Sequence, residues 1–117
     1  MKEITIYHNP RCSKSRQTLQ LLRDNSIEPK IIEYLKTPLK KNELKKISEL
    51  LGLRPKEFIR KNESDFKENN YGEIVDDDEK IIAAMASHPK IIERPIVTAG
   101  TIAVIGRPPE NVLKVLK

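Results

Sequence analysis

The sequence predicts an α/β domain built on a mixed four-stranded sheet, in the order βαβ, a helical insert, then ββα. Three observations lead there. Two β-favouring runs flank a helical pattern near the start, and that spacing makes a βαβ unit with parallel strands. Near the end, Pro95-Ile96-Val97-Thr98 and Thr101-Ile102-Ala103-Val104-Ile105 are joined only by Ala99-Gly100, short enough to force an antiparallel hairpin. Between the two pairs, from about 40 to 90, the periodicity is helical. At 117 residues the chain is expected to form one domain, 1–117, with a core that needs no metal or disulfide.

The first strand is Ile4-Thr5-Ile6-Tyr7, with Ile4 and Ile6 on one face, and Asn9-Pro10 breaks it. Ser13 or Ser15 then offers an N-cap for a helix with Leu19, Leu21 and Leu22 as its apolar positions. Asp24-Asn25-Ser26 ends that pattern. The second strand is Lys30-Ile31-Ile32-Glu33-Tyr34-Leu35, closed by Thr37-Pro38. Leu44, Ile47, Leu50 and Leu51 describe an amphipathic helix from Lys41 to Leu51, with Gly52 as its stop. Leu53-Arg54-Pro55 opens a short helix holding Phe58 and Ile59, with Arg60 near its end.

The stretch 61–70 is weakly patterned, with Phe66 its one anchor, and Asn69-Asn70-Tyr71-Gly72 is a turn. Asp76-Asp77-Asp78-Glu79 places negative charge at a helix start, and Ile81, Ile82 and Met85 supply that helix's apolar face. These acids read as capping and solvation, because a calcium loop needs a glycine turn and further oxygen ligands. No metal site is expected. His88-Pro89 reads as a structural helix exit. Gly106-Arg107-Pro108-Pro109 turns the chain into a last helix carrying Val112, Leu113 and Leu116.

The chemistry points to Cys12, the only cysteine, placed between a strand and a helix start. A free thiol with pKa of about 8.5 is only a few per cent ionised at neutrality. Helix N–H groups and the cations Arg11, Lys14 and Arg16 favour the thiolate. A buried inert cysteine is the alternative, but that residue wants apolar neighbours. His8 either supports the thiolate or is a strand-end histidine bonded to backbone.

The net charge of +5 favours a small anion. Nucleic acid is not expected as a partner, since aromatics are only 4% and too few to stack bases. No apolar run approaches the ~20 residues of a membrane helix, and Met1-Lys2-Glu3 leads into a strand without a signal-peptide pattern. A cytoplasmic, reducing location is therefore expected, with no membrane association.

The element order is the thioredoxin-like one, in which a strand-leading proline stands beside the active helix; Pro95 holds that place, and Arg94-Pro95 is expected to be cis. More specifically, His8-Asn9-Pro10-Arg11-Cys12 with Ser15-Arg16, then Glu93-Arg94-Pro95-Ile96, then Gly106-Arg107-Pro108 make the chain resemble the glutaredoxin-coupled arsenate reductases. The resemblance runs from Ile4 to the last helix. It implies that Cys12 is the nucleophile, that Arg60, Arg94 and Arg107 cradle the oxyanion, and that His8, Asn9, Ser15, Arg16 and Pro95 support the thiol.

The family's cycle begins with Cys12 attacking arsenate. Glutathione, a co-substrate rather than a bound cofactor, then adds; glutaredoxin removes the glutathionyl group, and arsenite leaves. A chain with one cysteine has no resolving thiol of its own, which agrees with an external reductant. The pair Ser13-Lys14 departs from the small residues of the best-established arsenic-resistance enzymes.

Two other activities compete. A regulator resembling the Spx proteins would bind RNA polymerase, but those usually carry Cys-x-x-Cys, and here the second position is Ser15. A monothiol, glutathione-dependent oxidoreductase would need no oxyanion preference.

Overall fold

The computed structural model describes residues 3–116, with the side chain of Leu116 outside the description. The start Met1-Lys2 and the apolar role expected of Leu116 therefore lie outside the described residues. The chain forms two compact units, one from 3–37 with 94–116 and the other from 38–93.

The first unit holds β1 (Ile4–Tyr7), α1 (Ser13–Asp24), β2 (Lys30–Ile32), β3 (Ile96–Ala99), β4 (Ile102–Ile105) and a 3-10 helix, Pro109–Leu116. The sheet runs β2-β1-β3-β4. β1 is parallel to β2 and antiparallel to β3, and β3 is antiparallel to β4, so the sheet is mixed as expected. The period-two pattern explains the core. Ile6 lies opposite Val97 across the ladder, and both join Ala99 in a cluster with Leu19 and Leu22 of α1 and Val112 and Val115 of the last helix. Burying that three-residue step of α1 fixes the helix against the sheet, with its first turn just beyond the end of β1.

Several boundaries differ from expectation, each for a local reason. β2 ends at Ile32, because the Glu33 carbonyl accepts from the N–H groups of Lys36 and Thr37 in a turn that includes buried Tyr34. α1 is capped by neither Ser13 nor Ser15; Cys12 itself is the N-cap, in extended conformation. β3 starts at Ile96, since Pro95 has no N–H for a ladder. Thr101 falls in the hairpin turn beside Gly100, whose φ is 61°. The last helix is 3-10 rather than α. Arg94-Pro95 is cis, as expected, and so is Arg107-Pro108, which the sequence did not signal.

The second unit is helical: α2 (Lys41–Leu51), a 3-10 turn (Pro55–Phe58), α3 (Ser64–Glu68), a 3-10 turn (Tyr71–Ile74), α4 (Asp78–Ser87) and a 3-10 turn (Pro89–Ile91). α2 packs on α4, and Leu44, Ile47, Phe58, Ile81 and Met85 are buried. Gly52 ends α2 at φ 68°. The weakly patterned stretch forms α3, with Phe66 buried. Asp77 caps α4, its carboxylate accepting from the Lys80 N–H, while Asp76 and Asp78 pair with Lys56 and Arg54. Ile59 leaves the expected helix and bridges to Ile92 instead, which places Arg60 beyond the 3-10 turn. His88 Nδ1 lies 2.7 Å from the Tyr71 hydroxyl. Among the described residues, no helix is long and apolar enough to cross a membrane.

Candidate active site

Cys12 is carried to the helix start by a turn that the residues after β1 build for themselves. The His8 N–H continues the ladder by donating to the Ile32 carbonyl at 2.8 Å. Asn9 then serves the turn twice: its carbonyl accepts from the Cys12 N–H and its Oδ1 accepts from the Arg11 N–H, both at 3.0 Å. The Cys12 carbonyl accepts from the Arg16 N–H, opening α1. Arg16 closes the turn from outside, its guanidinium donating to the Pro10 carbonyl at 2.8 Å. Cys12 is half-buried.

The surroundings of that sulfur favour the anion. Burial is the largest single influence and opposes ionisation. The Ser15 N–H, the Arg94 guanidinium by hydrogen bond, the Lys14 N–H and the Arg94 charge together outweigh it, and the thiol pKa falls below its ordinary value. The sulfur makes no fully formed capping bond to the helix, yet the N–H groups of the first turn stand close enough to favour a thiolate. Arg94 acts here both as donor and as charge.

Ser15 and His8 form a buried pair beneath the turn. His8 Nδ1 and Ser15 Oγ are 2.7 Å apart, and Ser15 Oγ also accepts from the Asn9 N–H at 3.0 Å. The hydroxyl therefore serves two partners at once, the Asn9 N–H and the His8 ring nitrogen. Burial pushes the His8 pKa down; Glu33 opposes that, while Arg23 and Arg16 add to it. His8 therefore meets the Ser15 side chain, whose main chain faces the sulfur.

Arg107 joins this group and Arg60 has a different setting. The Arg107 guanidinium donates to the Arg94 carbonyl at 3.5 Å, and the Gly106 N–H donates to the Pro95 carbonyl at 2.9 Å. The two cis-proline loops are thus bonded to each other. Arg60 lies in the second unit, its guanidinium 3.3 Å from both Glu63 and Glu93. The first unit accordingly brings together Cys12, His8, Asn9, Ser15, Arg16, Arg94, Pro95 and Arg107. The Lys14 N–H, Thr18 and the carboxylates that hold Arg60 do not stand out in the sequence. Backbone donors and packing partners leave no residue-type signal, though Glu93 stands next to Arg94 in the sequence. Among the described residues, no group of three or more His, Cys, Asp or Glu side chains could hold a metal ion.

The sequence model of the ArsC family matches residues 7–115. The chain is 46% identical to the uncharacterized protein YfgD of Escherichia coli strain K12, covering 98% of each chain. It is 43% identical to an arsenate reductase of Neisseria meningitidis, over 99% of this chain and all of that protein. Among solved structures, an arsenate reductase from Vibrio cholerae superposes with a TM-score of 0.93 at 47% identity, over 97% of this chain and 98% of that one.

Proposed function

The chain belongs to the ArsC family, and from that premise we propose that it is an arsenate reductase using a Cys12 thiolate, with glutathione and glutaredoxin as external reductants. The observation that carries this reading is the Arg94 guanidinium at the Cys12 sulfur. A guanidinium fork there lowers the thiol pKa together with the Ser15 and Lys14 N–H groups and offers paired donors to a tetrahedral oxyanion. Arg107, whose guanidinium bonds the Arg94 carbonyl, enters as the second anion ligand through the family resemblance. Arg60 enters as the third through the family resemblance alone.

In the proposed cycle the thiolate attacks arsenic, an As–S bond forms, and hydroxide leaves with its charge met by the arginines. Glutathione replaces a second oxygen, which departs as water or hydroxide; arsenic is still As(V). A glutaredoxin thiolate then attacks the glutathione sulfur and forms a mixed disulfide. The As–S electron pair stays on arsenic, giving As(III), and hydrolysis releases arsenite and the Cys12 thiolate. The two thiols supply the two electrons. Such chemistry suits a reducing compartment such as the cytoplasm.

The test is NADPH oxidation coupled through glutathione and glutaredoxin, with arsenate as substrate. Turnover should vanish in Cys12→Ser and fall about 100-fold or more in Arg94→Lys, which keeps the charge but loses the fork. Turnover that survives Cys12→Ser overturns the reading. No arsenate turnover, with capture of RNA polymerase by the folded protein, favours the regulator instead.

A further inference from the structure

We propose that Thr18 is a positioning residue for Arg107, setting the height of the 106–108 loop above the helix turn that carries the thiol. The inference rests on the oxyanion reading above. Thr18 is fully buried in α1, one turn beyond the residues facing Cys12. Its hydroxyl donates to the Lys14 carbonyl at 2.8 Å and lies 3.4 Å from the Gly106 carbonyl. One hydroxyl proton serves the nearer acceptor well and the farther one weakly.

The loop position is defined by this polar contact of the Thr18 hydroxyl together with the close packing around it. A Cβ placed on Gly106 would stand 2.5 Å from Thr18 Oγ1, 3.0 Å from Thr18 Cγ2 and 2.9 Å from Pro95 Cγ. The bare glycine therefore packs directly against Thr18 and Pro95, with no room for a side chain. Its N–H, bonded to the Pro95 carbonyl, fixes the remaining direction. Arg107 follows immediately, and the Asn111 side-chain amide donates to the Ile105 and Arg107 carbonyls from the far end of the loop. Thr18 thus ties Arg107 to the same first turn whose N–H groups face the sulfur.

The test is protection of Cys12 from iodoacetamide by arsenate, which needs neither turnover nor glutaredoxin. Thr18→Val keeps the bulk and removes the hydroxyl; it should raise the half-protecting arsenate concentration at least fivefold. The pH midpoint of alkylation without arsenate should stay at the wild-type value, because the groups around the sulfur are untouched. Thr18→Ser should restore protection to within twofold, and Thr18→Val should add less than twofold in an Arg107→Lys background. A residue that only stabilises the fold would lower the melting temperature and leave protection of the folded protein unchanged. If Thr18→Val proves unfolded, Gly106→Ala probes the same wall from the loop side, and the same fivefold weakening is expected. Unchanged protection in a folded Thr18→Val or Gly106→Ala protein overturns the inference alone. A wild-type protein that arsenate does not protect overturns the oxyanion reading and this inference with it.

Discussion

At the level of single residues, the thiol depends on main-chain donors and one guanidinium, while the buried side chains beneath it serve the turn. Ser15 divides the two jobs: its N–H faces the sulfur and its hydroxyl joins Asn9 and His8. Ser15→Ala should therefore destabilise the protein by about 1–3 kcal/mol in urea unfolding, because a buried N–H and a buried ring nitrogen lose their partner. Its alkylation profile should barely move. His8 gives a pH signature. Its folded pKa is depressed, so the unfolded chain takes up a proton first, and this residue's contribution to stability, complete above about pH 6.5, is lost as pH falls through the lowered folded value. The stability difference between wild type and His8→Gln should shrink from pH 7.5 to pH 5; a constant difference contradicts the assignment.

At the level of elements, the sequence was legible wherever period and punctuation agreed. α2 and its glycine stop, the hairpin, and the placing of Cys12 at a helix start all follow from spacing. What escaped was set by a local turn or by partners distant in sequence. β2 is shorter because a turn takes the Glu33 carbonyl, whereas Ile59 bridges to Ile92 and Arg60 meets Glu93 across 33 residues. Two glycines show the same contrast between local and tertiary causes. Gly52 has open space around its missing Cβ but a φ of 68°, so Gly52→Ala should cost about 1 kcal/mol from backbone strain alone. A Cβ on Gly106 would crowd both Thr18 and Pro95, so Gly106→Ala should cost more, about 1–3 kcal/mol. Chemical denaturation orders the two, and the reverse order would contradict the packing argument.

For the whole molecule, the division of the chain mirrors a division of chemistry. One unit builds the thiol and its arginines on a mixed sheet, and the other is a helical unit that holds Arg60 between carboxylates. A single cysteine in 117 residues leaves the chain unable to complete a reduction by an internal disulfide. Omitting glutathione from the coupled assay should therefore stop steady turnover; sustained turnover would contradict the proposed source of electrons. The proposed chemistry depends above all on the ionised state of Cys12. The most direct measurement is the rate of iodoacetamide alkylation against pH, in wild type and in Arg94→Gln. The wild-type midpoint should lie below the value of about 8.5 for free cysteine, and Arg94→Gln should move it upward. A wild-type midpoint at or above that value, unmoved by the substitution, would contradict the account.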